Sequence, residues 1–129
     1  MANWNNLKAY INANYKVAED QGSLVKLIFT FDSGRSQLVL VTHTTTGAGI
    51  EFATITSPFA KVGEVDLGVA LRELNEYVVG GAVIVGDFIV VRHAVPMDAL
   101  DADDFEAPLH LVLNAAEAME QKFVGTDNF

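Results

Sequence analysis

The sequence predicts an α+β domain in which an antiparallel sheet of about five strands carries its helices mostly on one side. Three observations predict it. Short runs rich in β-branched and aromatic residues alternate with turns built from Gly, Asp and Ser. Two later stretches, 67–78 and 105–123, switch to the three- and four-residue spacing of a helix stripe. The connections between successive strands are hairpin-short, which calls for antiparallel pairing. The element order is α-β-β-β-α-β-β-α, and residues 1–129 make one domain.

Residues 3–14 form the first helix: Asn3 caps it, and Trp4, Leu7 and Ile11 share a face. Asn12 and Asn14 weaken it, and Tyr15-Lys16-Val17-Ala18 reads as extended. After the turn Asp20-Gln21-Gly22-Ser23, Leu24 to Phe31 alternates cleanly, with Val25, Leu27, Phe29 and Phe31 on one side. Asp32 to Ser36 makes a loop, and Gln37 to Thr46 carries Leu38-Val39-Leu40-Val41, apolar on both faces. Gly47-Ala48-Gly49 turns into a third strand from Ile50 to Thr56, ended by Ser57-Pro58. Leu67, Ala70, Leu71, Leu74 and Val78 then mark a helix capped by Asp66.

Gly80-Gly81 stops that helix. Val83–Val85 and Phe88–Val91 follow as a hairpin around Gly86-Asp87, its second strand apolar on both faces. The acidic connector Met97 to Asp104 leads to the last helix, whose stripe is Phe105, Leu109, Val112, Ala116, Met119 and Phe123. Asp103 or Asp104 is the expected cap, with Pro108 tolerable only near the first turn. This helix covering the preceding hairpin is the simplest packing.

Composition narrows the function. Half of the residues are hydrophobic, enough for a core. No cysteine is present, which excludes disulfides, thiol catalysis and cysteine-bound zinc. Without a basic–apolar leader or a membrane-length apolar run, the expectation is a cytoplasmic protein with no membrane partner. Eight Lys and Arg against seventeen acids give a net charge of −9, which argues against nucleic acid as a partner. The acidity serves solubility, or it steers in a basic partner; Asp98, Asp101, Asp103, Asp104 and Glu106 are its one real cluster.

No catalytic constellation emerges. His43, His93 and His110 lack metal-ligand spacing, although His43 and His93 could face each other across strands. There is no nucleophile elbow, and Gly80, Gly81 and Gly86 sit inside a hairpin rather than in a phosphate-binding loop. Asp127 can cap or dock the helix end. The expectation is no enzyme, no cofactor and no metal. What stays unexplained is that Leu38–Val41 and Phe88–Val91 are apolar on both faces while helices on one side cover only one. Either the second helix crosses over, or another chain supplies cover.

The chain resembles the YbjN-like family, which shares its fold with the small chaperones of type III secretion. The carriers are Asn14-Tyr15, Leu74-Asn75, Val91-Arg92-His93-Ala94-Val95-Pro96, Pro108-Leu109, Ala115-Ala116 and Gly125-Thr126-Asp127. The resemblance implies a chaperone-like or regulatory module that binds a protein or peptide segment, commonly as a homodimer, without a cofactor. The partner surface is then the sheet face opposite the helices, with Ile28, Thr30, Val39, Val41 and Arg92 as its expected residues. The alternative is a small-molecule binder or weak hydrolase, with a pocket between sheet and helices flanked by His43, His93 or Asp127.

Overall fold

The computed structural model describes residues 3–129. Its elements are α1 (Trp4–Asn14), β1 (Val17–Asp20), β2 (Leu24–Thr30), β3 (Ser36–Thr45), β4 (Glu51–Lys61), α2 (Leu67–Leu74), β5 (Gly81–Val85), β6 (Phe88–Pro96) and α3 (Ala102–Phe123). The strands form one antiparallel sheet in the order β1-β2-β3-β4-β6-β5. The α+β class and the element order are as read from the sequence. The sixth strand is β1, the extended segment after α1, which adds to the meander as an edge.

One face of this sheet makes the core. Val25 and Leu27 of β2 pair with Val41 and Val39 of β3, and Val41 pairs onward with Ile55 of β4. All five are buried at 1 % exposure or less. Trp4, Leu7 and Ile11 of α1 and Phe105, Leu109, Val112 and Met119 of α3 close over them. α3 lies across β4, β6 and β3, so it covers the β6 half of the hairpin as expected and extends over the meander rather than over β5. α2 sits at the β5 end against α3, with Ala70 and Leu74 in the same core and Lys122 Nζ 2.7 Å from Glu73 Oε2. The second helix therefore does not cross the sheet.

Three boundaries differ from expectation. β4 runs through Pro58 to Lys61, because Pro58 sits beside a bulge in the β4–β6 register. The β3–β4 ladder has already ended at Leu40–Thr56, so a missing Pro58 N–H costs no ladder bond. The fully buried Gln37 amide takes over, donating to Pro58 O at 2.6 Å and Ser57 Oγ at 2.8 Å. α2 ends at Leu74 and tightens into three-residue turns through Tyr77, which leaves Val78 exposed. α3 starts at Ala102 because Asp101, not Asp103 or Asp104, is the cap. Asp101 and Asp104 exchange side-chain and backbone bonds in a capping box, and Pro108 lies inside the helix beyond its first turn, which corrects the expectation that it would sit near the start.

Candidate functional site: the open face of the sheet

All three helices occupy one side, so the other side of the sheet has no helical cover. Its residues follow from strand alternation: Lys26, Ile28 and Thr30 from β2, Leu38 and Leu40 from β3, Thr54 and Thr56 from β4, Val90 and Arg92 from β6, and Val83 and Val85 from β5. A groove of about 210 Å³ runs between Leu38, Leu40, Pro58, Val85, Phe88 and Val90. It adjoins a second of about 260 Å³, where Thr42, Thr44, Thr54 and Thr56 meet Arg92. The first is almost wholly hydrocarbon. In the second, Thr44 Oγ1 and Thr54 Oγ1 lie 2.9 Å apart across the strands.

The expected surface residues divide. Ile28, Thr30 and Arg92 lie on this face and are exposed. Val39 and Val41 do not: they point into the core and are fully buried, and Leu38 and Leu40 take their place outside. The reason is register. A run of four aliphatic residues fits either parity, and pairing with β2 selects the one that continues Val25 and Leu27. Residue composition does not break the tie, because Ser36, Thr42 and Thr44 on one parity match Gln37, His43 and Thr45 on the other.

Phe129 was also unforeseen as part of this face. The chain after α3 turns at Gly125 and wraps round the end of the sheet. Asp127 Oδ2 accepts from Ser36 N at 3.0 Å, and Asn128 N donates to Glu120 Oε2 at 2.9 Å. The Phe129 ring then enters the apolar groove, edge-on to Phe88 at 5.6 Å between centroids. Asp127 thus docks the tail. Behind it, Arg35 bonds Glu117 and reaches Glu120 Oε1 at 3.3 Å. Burial among hydrocarbon pushes the Glu120 carboxyl above the usual carboxylate range, and neighbouring Glu117 and Asp127 add to the shift. Glu117, Glu120 and Asp127 converge to within 4.8 Å, with Arg35 as the countercharge.

Two further polar clusters are bonded within the chain. Glu106 accepts from the hydroxyls of Tyr10 and Tyr15, with His110 Nε2 3.2 Å away. Burial alone would raise its pKa, but these partners outweigh burial and hold it below the usual range. In return, the bond to Glu106 pushes the Tyr10 hydroxyl up to about 12. Three of the five acids of the cluster, Asp101, Asp104 and Glu106, are thereby engaged in a capping box and this tyrosine clasp. His43 stacks on Trp4 at 5.4 Å and bonds Glu51 at 2.8 Å. It does not face His93, because β4 lies between them: His43 pairs with Ala53, and His93 with Ile55. The space between sheet and helices, where the alternative reading put a ligand, is filled by Leu7, Ile11, Ile55, Phe59 and Phe105. No helix among the described residues is long and apolar enough to cross a membrane. Comparison of the chain with protein-family models, with curated proteins and with solved structures found no match to any of them.

Proposed function

We propose that this chain is a non-enzymatic module, chaperone-like or regulatory, whose open sheet face binds an extended segment of another protein. The observation that carries the reading is the groove of Leu38, Leu40, Pro58, Val85, Phe88 and Val90, apolar and without helical cover. Such a surface loses free energy in water, at about 25 cal/mol per Å² of apolar area, and regains it under a partner. The likeness to the YbjN-like family, with its helix–meander–helix–hairpin–helix order, points the same way.

A homodimer is part of this reading, and the β5 edge favours it. Gly86, at φ 60, opens a two-residue hairpin turn. Val85 and Phe88 therefore form a hydrogen-bonded pair, as do Val83 and Val90, and Ala82 and Ile84 point their N–H and C=O groups outward. Residues 77–86 hold no charged side chain in a chain of net charge −9. Leu67, Leu71, Val78, Ile84 and Val85 are exposed along α2 and this edge. Two copies pairing antiparallel about Val83 place Ala82 against Ile84 and Gly81 against Val85, small against large. A charge-free edge is where two acidic molecules repel least.

The test is a photo-cross-linking residue in the native cell, placed at Leu40 on the open face or at Leu111 on the outside of α3. Adducts at Leu40 that map to one continuous segment of another protein are expected, with none at Leu111. Equal labelling at both positions, or none at Leu40, refutes the reading.

A further inference from the structure

The tail lying on the open face identifies the chemistry of its partner, an inference that rests on the binding role proposed above. The groove is partly filled by the chain itself. Phe129 reaches it through residues 126–128, which are held by Asp127 on Ser36 N and by Asn128 on Glu120. The ring meets Phe88 edge-on, the geometry aromatic pairs prefer. Its seat thus accepts one aromatic side chain.

Charge adds a second requirement. On this acidic molecule the open face is not acidic: Lys26, Lys61 and Arg92 lie on it, against Glu19 and, beside Lys61, Glu64. Lys26 is neutralised by Glu19 at 3.3 Å. Among the described residues, Lys61 and Arg92 have no carboxylate within salt-bridge distance, and they stand at opposite ends of the groove system. Lys61 is beside Phe88 and Phe129, and Arg92 is beside the threonines. A basic partner, one of the two readings of the net charge, is not what Lys61 and Arg92 favour on this face. We infer that the segment Thr126–Phe129 is an internal stand-in for the partner, and that the partner is an extended segment carrying an aromatic residue with acidic neighbours. The partner displaces Phe129 from its seat while Asp127 and Asn128 can keep the tail attached.

The experiment titrates a free peptide of the tail's own sequence, Val124 to Phe129, into the full chain and into Phe129→Ala, followed by backbone amide shifts. Phe129→Ala keeps both anchors of the tail, and a second variant ending at Gly125 removes them. Saturable shifts at Leu40, Val85, Phe88 and Val90 are expected in both variants, about tenfold tighter than in the unaltered chain. Changing Lys61 and Arg92 to Glu should weaken binding severalfold, and a peptide with Ala for Phe should not bind. If the tail peptide fails on folded Phe129→Ala while lysine-rich or purely aliphatic peptides shift the same residues, the stand-in inference is wrong and the binding face survives. If no peptide in such a panel perturbs the face of either variant, both are wrong.

Discussion

Leu38, Val39, Leu40 and Val41 are consecutive in β3 and nearly alike in chemistry, yet Val39 and Val41 are wholly enclosed while Leu38 and Leu40 line an open groove. The two faces of this sheet differ less in residue type than in what lies on them. On one, α1 and α3 bring Leu7, Ile11, Phe105 and Leu109 into one core with Val25, Leu27, Val39, Val41 and Ile55. On the other, the described residues outside the sheet contribute Phe129 to the groove. Hydrophobicity alone therefore does not mark a core; a core needs a second layer with its own apolar stripe. Where that layer is missing, the same aliphatic residues become a surface that can receive something else.

The largest test of this contrast is a matched pair of truncations. Phe105→Ala, at 0 % exposure, should cost about 3–5 kcal/mol in urea unfolding. Phe88→Ala, at 38 % exposure on the open face, should cost about 1 kcal/mol or less. Similar losses would mean that the open face is as tightly packed as the core.

Ile84→Lys comes next. A lysine on the free β5 edge should leave the monomer folded, abolish the larger species in sedimentation, and remove any dependence of melting temperature on concentration. A dimer that survives this change does not use that edge.

A smaller effect separates the two ends of α3. Glu106 sits below the usual carboxylate range, so its contribution is present above the unfolded value, ~4.3, and is lost as pH falls through its folded value. Glu120 sits above that range, so its contribution is complete below ~4.3 and declines as pH rises through its folded value. Tyr10, Tyr15 and His110 surround the first, and Arg35, Glu117 and Asp127 the second. Urea midpoints measured between about pH 3 and pH 7 should steepen their rise with pH for Glu120→Gln and flatten it for Glu106→Gln. The same sign for both variants would contradict the opposed environments. Thr44→Val should do least, within about 0.5 kcal/mol, since Thr44 is exposed and loses a single hydroxyl bond, to Thr54 Oγ1.

Much of the fold was legible because local rules enforce it. Asn3 and Asp66 cap where their side chains can accept from the first turn, and Gly86 turns where only a positive φ closes the hairpin. Gly80 must be glycine for a contact no local rule reveals: a Cβ there would lie 2.8 Å from Arg92 O. The site was half legible. Ile28 and Thr30 came from alternation in a strand with one apolar face, and Arg92 is the polar residue that follows the apolar run of β6, whereas Val39 and Val41 failed where both parities were apolar. Leu38, Leu40 and Phe129 entered only with the pairing register and the path of the tail.

Sequence by itself determined the class, the order of elements and the surplus of aliphatic residues, since these depend on periodicity and on turns a few residues long. Tertiary structure decided which half of that surplus is sheltered. That choice belongs to ladders between β2, β3 and β4 and to a helix more than sixty residues away, and no local energy distinguishes Leu38 from Val39 until those partners arrive.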